Sequence, residues 1–457
     1  MYATHLGGFG DARLQCVGGA LLAAMQRKRT MCVHALANGR SQARRFQRFL
    51  DNEAVSRHEM LVHAGRLSGQ RAKGRHVLAI SDTSEMNFAT HTGRKHGFGT
   101  VGNGIDIGVL VHPIIAVDAD RGGLIGLVGA EVMNRTAGKV TDHKRRDADD
   151  KESRRWLAGV ETAAAMLADA ATVTAVEDRE GDIYDQFARR PDRVHLLVRA
   201  AQDRNLATPL PLFAHCAALR ERTRYVVTVP PQPGRPARTA TVALRFGEVT
   251  VKRPADAVAS LPATLTLRVV DIAEIDPPSP QLRVHWCLLT THQVETLADA
   301  QRIVRWYQLR WIIEQVFRTM KSAGVEVEKS QITRPASLLK LTVVALIAAI
   351  RVMQLVLARD GSTQQPLSDG AEADDIPALE AINATLEGAT EKLKNPFDHT
   401  KLAWLAWIAA RLGGWSGYTS AGYRPAGPKT MARGLKQLDP MVAGWKLANR
   451  SALLGLP

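Results

Sequence analysis

The sequence is poor in the features that mark exported, disulfide-linked or repeat proteins. Its 457 residues include only four cysteines, and no two of them form a CxxC pair. Neither a disulfide framework nor a zinc site is therefore expected, and a reducing cytoplasm is favoured. The first residues show no basic segment followed by an apolar one, so nothing predicts export. No repeat of roughly 20 to 50 residues is apparent, which argues against solenoids and propellers.

Long apolar runs and nucleotide-binding loops are also lacking. The run LTVVALIAAI at 341–350 has ten residues, with Lys340 before it and Arg351 after it. A membrane span needs about 20 apolar residues, so we expect this run to be a buried helix and no membrane to be a partner. The GxxxxGK[ST] loop is absent from the sequence, which disfavours ATP-driven chemistry.

Positive charge is what the chain has in excess. Lysine and arginine number 60 against 45 acidic residues, which gives a net charge of +15 and a pI near 9.9. A balance this basic favours polyanionic partners, with nucleic acid first and an acidic membrane surface second. The hydrophobic content of 45% is ordinary for a globular protein, and the length leaves room for about two to four units with their own cores.

The chain changes its periodicity along its length. Residues 1–70 are predicted to form short helices rich in Arg, Lys and Gln, which suits either contact with phosphates or a solvated surface. The next segment predicts an α/β sheet with helices packed on it. Its expected order is strands at 76–80, 108–120 and 123–133, a helix at 150–170, a strand at 172–177, a helix at 182–190 and a strand at 193–200.

The remaining chain divides into a strand-rich part and a helical part. Proline-punctuated strands from about 205 to 285 indicate a separate antiparallel insert, with PPQPGRPAR as an exposed basic loop. Helix resumes over 296–324. From 335 to 457 the pattern is mostly helical, with a charged segment at 369–375 predicted to be a mobile loop.

One predicted helix, YQLRWIIEQVFRTMK at 307–321, has an unusual polar face. At about 100° per residue, its apolar residues form one core-facing stripe: Leu309, Ile312, Ile313, Val316 and Met320. Its polar residues lie together on the opposite face: Tyr307, Arg310, Glu314, Arg318 and Lys321. One carboxylate thus stands among three cations and a phenol, either as a solvated salt-bridge face or as a group that acts on an anion.

Two aspartates follow buried strands. Asp82 comes after HVLAIS and Asp178 after TVTAVE. Each one alone is typical of a turn or helix cap. In open α/β sheets, however, the carboxyl ends of strands face the functional crevice. Together with Glu314, they could hold two Mg²⁺ or Mn²⁺ ions about 3.5–4 Å apart for an in-line phosphoryl displacement, while Tyr307, Arg310 and Lys321 grip the flanking phosphates.

These motifs resemble those of a known family. The spacing of Tyr307, Arg310, Glu314 and Lys321 matches the YREK signature of bacterial DDE transposases of the insertion-sequence-four family, of the Tn-five type. DTS at 82–84 resembles the first-Asp motif and DREGDIYD at 178–185 the second. DKESRRWL (150–157), HWCLLTT (285–291) and ARLGGW (410–415) are also similar to family segments.

The resemblance implies a fold and a domain layout. It implies an α/β, RNase H-like catalytic core at 71–204 and 291–334, interrupted by a β-rich insert at 205–290. It further implies a helical N-terminal DNA-binding domain at 1–70 and a helical C-terminal dimerisation region at 335–457. The partners would be transposon-end inverted repeats and target DNA, bound by a homodimer in a synaptic complex within the bacterial cytoplasm, at the nucleoid.

The resemblance also implies roles for single residues. Asp82, Asp178 and Glu314 would be the catalytic residues and the ligands of two Mg²⁺ or Mn²⁺ ions. Tyr307, Arg310 and Lys321 would contact DNA near the cut. Arg318 and Arg199 would be further DNA contacts, although Ala200 and Ala201 stand where relatives carry polar residues. Trp286 matches the family tryptophan that stacks on a flipped base during hairpin formation, or else it is a core aromatic.

The sequence is compatible with three functions. The first is a metal-dependent transposase that cuts and joins DNA through a hairpin intermediate. The second is a silent DNA-binding relative that acts as an inhibitor, against which the three intact carboxylates count. The third is a nuclease of the same core without strand transfer. His112 and His195 are expected to be strand histidines with local hydrogen bonds.

Overall fold

The structure is a computed structural model of the chain. It describes residues 5–88, 95–102, 104–135, 154–229, 236–323, 325, 327–417 and 425–449. The structure does not describe residues 230–235 of the PPQPGRPAR segment or residues 150–153 of DKESRRWL. The exposed basic loop and the start of the helix at 150 therefore stay predictions.

The fold is a mixed α/β architecture built on one large sheet with many helices. The strands are β1 (His76–Ser81), β2 (Ser84–Asn87), β3 (Gly108–Asp118), β4 (Leu124–Met133), β5 (Thr172–Glu177), β6 (Val194–Arg199), β7 (Glu221–Val229), β8 (Arg238–Lys252), β9 (Thr264–Glu274) and β10 (His285–Thr290). The helices are α1 (Ala12–Lys28), α2 (Val33–Leu36), α3 (Arg40–Asp51), α4 (Arg57–Ala72), α5 (Arg154–Met166), α6 (Tyr184–Arg189), α7 (Leu212–Ala218), α8 (Leu297–Leu309), α9 (Trp311–Arg318), α10 (Pro335–Ala358), α11 (Ile376–Leu386), α12 (Leu402–Leu412) and α13 (Pro428–Ala448).

The sheet runs in the order β2-β3-β1-β5-β6-β10-β9-β8-β7. Strand β4 lies off this path and pairs with β3 along most of its length. Only β1, β5 and β6 are parallel to one another, and the other pairs are antiparallel. Parallel neighbours need a crossover, which α5 and α6 provide. The carboxyl ends of β1, β5 and β6 therefore lie at one edge of the sheet.

Strand and helix positions in the α/β segment agree closely with the sequence patterns. The predicted strand at 172–177 is observed as β5, and the predicted helix at 182–190 is observed as α6. Every residue of β3 is buried, because helices or further strands cover it from both sides. The alternation that would mark a half-exposed strand is absent there, as expected for a central strand.

The predicted insert is not a separate sheet. Its strands β7 to β10 form an antiparallel ribbon, as predicted, but β10 pairs with β6 and so extends the central sheet. The prediction also missed the short helix α7 within this segment. Its seven residues are too few for a clear helical period between proline and strand signals.

Helix α4 approaches the sheet closely through two glycines. A Cβ on Gly65 would lie 2.4 Å from the carbonyl oxygen of Val128 in β4, and one on Gly69 would lie 2.2 Å from that of Met166 at the end of α5. Any side chain at either position would force the backbones apart. These glycines therefore fix how α4 packs across β4 and α5.

Helix α10 is the apolar helix that the sequence indicated, but it is longer than the apolar run. It has 24 residues, and an 18-residue window within it has a mean hydropathy of 2.3, enough by length and composition alone to cross a membrane. However, 94% of that window is buried inside the protein, so the predicted buried helix is confirmed. Its cations bind internal partners: Lys340 Nζ donates to the carbonyls of Leu50 and Asn52, and Arg351 pairs with Asp439 at 3.0 Å.

The N-terminal and C-terminal helices share one hydrophobic core. Helices α1, α3 and α4 pack against α10, and α13 packs against α1 and α12. The same buried cluster also includes side chains from one face of strands β1 and β3. The helical segments at the two ends of the chain are thus packed onto the part of the sheet that contains β1 and β3.

The charged segment at 369–375 is ordered, contrary to the expectation of a mobile loop. Asp369 and Asp375 are fully buried. Arg75 donates to both carboxylate oxygens of Asp369, each at 2.9 Å, and Lys446 pairs with Asp375 at 2.6 Å. The sequence pattern does not reveal these pairs, because Arg75 is 294 positions from Asp369 and Lys446 is 71 positions from Asp375.

Candidate active site

The two aspartates singled out by the sequence lie at the same edge of the sheet. Asp82 follows β1 and Asp178 follows β5, and these strands are parallel neighbours in which Ile80 is paired with Val176. Because parallel strands end on the same side, both carboxylates point into the region beyond the strand ends. This placement depends on the β1–β5 pairing, which no local pattern specifies.

Each aspartate also has the local role that its sequence context suggested. Asp82 Oδ1 accepts from the backbone N–H of Thr83 at 2.7 Å. Asp178 Oδ1 caps a short 3-10 helix, Arg179–Gly181, by accepting from the N–H of Glu180 at 2.9 Å. One oxygen of each carboxylate thus fixes the turn, which leaves the other available for a different partner.

Glu314 approaches from a helix that is less regular than its sequence predicts. Helix α8 ends at Leu309, α9 covers Trp311–Arg318, and a π-helical turn follows at Thr319–Ala323. At the junction, Arg310 N–H donates to Tyr307 and Ile313 N–H donates to Arg310, both with the tighter i→i+3 spacing. The core stripe is nevertheless confirmed, since Ile312, Ile313, Val316 and Met320 are buried.

Arg310 joins two of the three carboxylates. Its Nη1 donates to Asp82 Oδ2 at 2.7 Å, and its Nη2 lies 3.4 Å from Glu314 Oε1. The side chains of Asp82 and Arg310 are only 13% and 14% exposed, whereas that of Glu314 is 38% exposed. The guanidinium therefore sits between the carboxylates, in the place that a bound cation would be expected to take.

The charges of Asp178 and Glu314 both act on the buried Asp82 carboxyl. The pKa of Asp82 is raised to about 6, chiefly by burial. Arg310 opposes this shift, while the negative charges of Asp178 and Glu314 add to it. A buried carboxylate that gains from protonation is one that a cation would stabilise in its charged form.

The three carboxylates fit a divalent metal in chemistry and only partly in geometry. Carboxylate oxygens are the ligands that Mg²⁺ and Mn²⁺ prefer. Among the described residues, however, they are not gathered within 4.8 Å of one another, as the ligands of one ion would be. Arg310 lies between Asp82 and Glu314 and hydrogen-bonds to both of them.

Tyr307, Arg199 and Trp286 form a second layer beside the carboxylates. Tyr307 is buried, with its ring 5.4 Å from that of Trp286 in a T-shaped contact. Arg199 lies close enough to Tyr307 for the two groups to affect each other's pKa, and its Nη2 donates to the backbone carbonyl of His285 at 2.7 Å. Burial raises the pKa of Tyr307, while Arg310 and Arg199 oppose that shift. Three of the predicted DNA contacts thus lie together, and Arg310 lies over the ring of one of them, Tyr307, at 5.9 Å.

Arg318 lies one helical turn after Glu314 in α9, whereas Lys321 lies beyond the end of that helix. Arg318 is exposed and lines a groove of about 760 Å³ together with Arg121 and Trp311. Lys321 lies in the π-helical turn and is half-buried. Only the π turn separates Glu314 from Lys321, and it changes the phase of the helix before Lys321.

Arg155 is a site residue that the sequence reasoning did not single out. Its Nε donates to Thr83 Oγ1 at 3.2 Å, and its Nη2 pairs with Glu180 at 2.8 Å. It thus links the turn after Asp82 to the turn after Asp178. The signal that could have found it was its place in DKESRRWL, a segment noted only for its resemblance.

Glu177 is a second missed residue, directly before Asp178. Its carboxyl is buried and hydrogen-bonds to Gln186. Burial raises its pKa to about 8, with Gln186 opposing and Asp178 adding to the shift.

His112 has the local hydrogen bond that the sequence predicted, because its Nδ1 lies 2.9 Å from Thr83 Oγ1.

Comparison with known proteins identifies the family. A family model for the Transposase DDE domain matches residues 111–350, more than half of the chain; this range includes Asp178 and Glu314 and begins after Asp82. Among solved structures, the chain is similar to the piggyBac transposase of a cryo-EM synaptic complex with hairpin DNA, at 9% identity and a TM-score of 0.40, over 96% of this chain and 75% of that one. That TM-score is too low for any inference. The chain belongs to the Transposase DDE domain family, and its broad function is that of a DNA transposase.

Proposed function

We propose that this transposase cuts and joins DNA with two divalent metal ions held by Asp82, Asp178 and Glu314, which we call the carboxylate triad. The observation that carries the proposal is the Arg310 guanidinium between Asp82 and Glu314. It supports a site built for positive charge at the edge of the sheet. Asp178 shares this site, because its charge contributes to the raised pKa of Asp82.

The chain's own residues would prepare the site for a phosphodiester. Asp82 and Asp178 are fixed by their turns, and Glu314 is more accessible than Asp82, at 38% against 13% exposure. When bound, two Mg²⁺ or Mn²⁺ ions would supply activation of the attacking oxygen and stabilisation of the leaving oxygen. Arg310 would then be released from the carboxylates and could donate to a phosphate, which its planar guanidinium suits.

The finer assignment is to the insertion-sequence-four type with an RNase H-like core. It rests on the spacing of Tyr307, Arg310, Glu314 and Lys321 and on the two aspartate motifs. Under this proposal the protein binds the inverted repeats of its element as a homodimer. Residues 1–70 would recognise the repeats and 335–457 would support pairing, although both segments also pack on the sheet through α10.

A hairpin step is proposed from the position of Trp286. Its side chain is half-buried and touches Tyr307, on the same side of the sheet as α8. A flipped base stacked on such a ring would gain about 1–3 kcal/mol, which offsets part of the cost of unstacking. Lys321 and Arg318 would contact DNA farther along the helix, and Arg199 would act by holding Tyr307.

Cleavage of a duplex that carries the ends of the encoding element would test the proposal. The full chain would be incubated with this duplex in Mg²⁺ or in EDTA, and the products resolved on a denaturing gel. We expect metal-dependent nicking, a hairpin product and strand transfer, with nicking reduced at least about 10³-fold in Glu314→Gln. Trp286→Ala should still nick but lose most of the hairpin.

Glu380→Gln provides a matched control. Glu380 is an exposed residue of α11, outside the site described above, so its substitution should leave cleavage unchanged. Specific binding without cleavage in either metal would contradict the proposal and favour a silent DNA-binding protein. Nicking without hairpin or joined products would favour a nuclease.

A further inference from the structure

A second cluster of ligand-type side chains lies on the opposite face of strand β10. Cys216 of α7, Asp271 of β9 and Cys287 of β10 are 1%, 2% and 2% exposed. Their ligand atoms lie within 4.8 Å of one another, and they are the one such group of three found among the described residues. We propose that this Cys–Asp–Cys cluster binds one zinc ion that fastens α7 to the sheet.

Strand register brings the cluster together. Asp271 and Cys287 are directly paired across the antiparallel strands β9 and β10, so their side chains project from the same face. Arg245 is paired with Asp271 in the next strand, β8. Helix α7 covers this face and places Cys216 beside Cys287, 71 positions away in the sequence.

The distance between the sulfur atoms suits a shared metal. Cys216 Sγ and Cys287 Sγ are 3.7 Å apart. Two thiolates bound tetrahedrally to one zinc ion, each at about 2.3 Å, lie about 3.8 Å apart. A disulfide would require about 2.05 Å, so the two sulfurs would have to move much closer together. Thiolates with one carboxylate form a zinc-type ligand set and do not resemble the all-oxygen sets of Mg²⁺.

Charge and hydrogen bonding also suit a buried ion. Arg245 Nη1 lies 3.6 Å from Asp271 Oδ2. One zinc ion, two thiolates, Asp271 and Arg245 together carry no net charge, as a buried site requires. The other carboxylate oxygen, Oδ1, is 2.7 Å from His285 Nε2, which would orient it. Hydrogen bonds of this kind to metal-binding carboxylates are the usual support of such sites.

The position of the cluster connects it to the active site. His285 and Cys287 face α7, whereas Trp286 between them faces Tyr307 on the other side of the sheet. Arg199 donates to the carbonyl of His285. A zinc ion here would therefore hold the strand segment that presents Trp286 and Arg199. The metal site itself does not depend on the proposed cleavage function.

Metal analysis of the full chain would test the proposal. The protein would be purified without a histidine tag and in the presence of a thiol reductant. Its zinc content would be measured by inductively coupled plasma mass spectrometry. We expect about one zinc per chain, reduced at least about tenfold in Cys216→Ser and Cys287→Ser. His285→Ala should weaken zinc binding by about 10- to 100-fold. Cys16→Ser is the matched control, because Cys16 is exposed and distant from the cluster, and it should retain the ion.

Two further measurements keep the test decisive if a cysteine variant fails to fold. Cobalt substitution of the unaltered chain should produce the near-ultraviolet charge-transfer band of thiolate ligands. Glu314→Gln should keep its zinc, which separates this site from the carboxylate triad and from any failure of the cleavage proposal. Less than about a tenth of a zinc per chain together with no cobalt–thiolate band would overturn the inference. So would zinc retained in the Cys216→Ser/Cys287→Ser double variant, or a Cys216–Cys287 disulfide in the isolated protein.

Discussion

At the scale of single residues, the site is a set of negative charges that the fold holds at a cost. Asp82 is largely buried beside Asp178 and Glu314, and only Arg310 offsets their charge. Arrangements of this kind are common where binding or catalysis, and not stability, determines the residue. The metal-free protein should therefore be more stable when Asp82 is neutral.

The stability of Asp82→Asn would show this cost. A carboxyl whose folded pKa is about 6, above its ordinary 3.8, binds its proton more tightly in the folded state. The free energy of unfolding therefore falls as the pH rises from about 4 to about 6. Above pH 6 the total loss from this group is at most about 3 kcal/mol. In EDTA at pH 7.5, Asp82→Asn should be more stable than the unaltered protein, and its urea-unfolding profile should be flatter between pH 4 and 6.

Two comparisons complete that experiment. The pKa of Glu177 is raised to about 8, so both proteins should continue to lose stability up to that pH. Mg²⁺ should stabilise the unaltered protein more than Asp82→Asn, because binding to the folded state alone adds to stability. If Asp82→Asn were instead less stable at pH 7.5, the ion pair with Arg310 would outweigh the cost of burial.

At the scale of elements, short irregular turns set the direction of the side chains in the candidate site. The 3-10 turn at Arg310 and the π turn at Thr319–Ala323 break a helix that the sequence pattern presents as continuous. The 3-10 helix after Asp178 returns the chain so that Gly181 packs on Glu177. Side-chain directions within such turns depend on what they pack against, and a fixed period of 100° does not predict them.

Gly181→Ala should disturb the turn after Asp178 without altering any charge. A Cβ at Gly181 would lie 2.2 Å from Glu177 Oε2 and 2.8 Å from Glu177 Cβ, and Glu177 is buried against Gln186. We expect a loss of about 1–3 kcal/mol in unfolding free energy and a fall in cleavage rate, measured by urea unfolding and the duplex assay.

Gly444→Ala is the control for that substitution. Gly444 is an exposed residue inside α13, with no atom within 4 Å of a new Cβ. Its replacement should raise stability by roughly 0.5–1 kcal/mol and leave cleavage unchanged. If both alanine variants had the same unfolding free energy and cleavage rate, the contact with Glu177 would contribute neither to stability nor to cleavage.

At the scale of the whole molecule, helices from both ends of the chain complete the core of the sheet. Arg75, just before β1, holds the fully buried Asp369 with two hydrogen bonds. Helix α10 packs on β4 and on the N-terminal helices. The segments assigned to DNA recognition, catalysis and pairing are therefore mechanically joined, and we expect them to unfold together.

Arg75→Ala would test this joining. Removal of one partner from a buried ion pair leaves an uncompensated charge and costs about 3–5 kcal/mol. Arg224→Ala is the control, because Arg224 pairs with Glu221 on an exposed strand surface, where water screens the pair and its loss should leave stability nearly unchanged. Calorimetry should show a single transition at lower temperature for Arg75→Ala. A separate early transition, with the rest of the protein unaffected, would show that the C-terminal region is an independent unit.

The sequence by itself determined the local elements of this protein and the identity of its acidic groups. The apolar spacing set the buried face at Ile312, Ile313 and Val316, and alternation and turn residues set strands such as β5. Such patterns are read from neighbours within a few positions, where a helix or strand fixes the direction of each side chain.

The tertiary structure alone decided which distant residues meet. Parallel pairing of β1 with β5 brought Asp82 beside Asp178, Arg310 came between Asp82 and Glu314, and β6–β10 pairing joined the insert to the central sheet. The Cys–Asp–Cys cluster arose in the same way, from cysteines that the sequence shows only as scattered. Strand order and register determine these contacts, and they depend on the packing of the whole core and not on any local period.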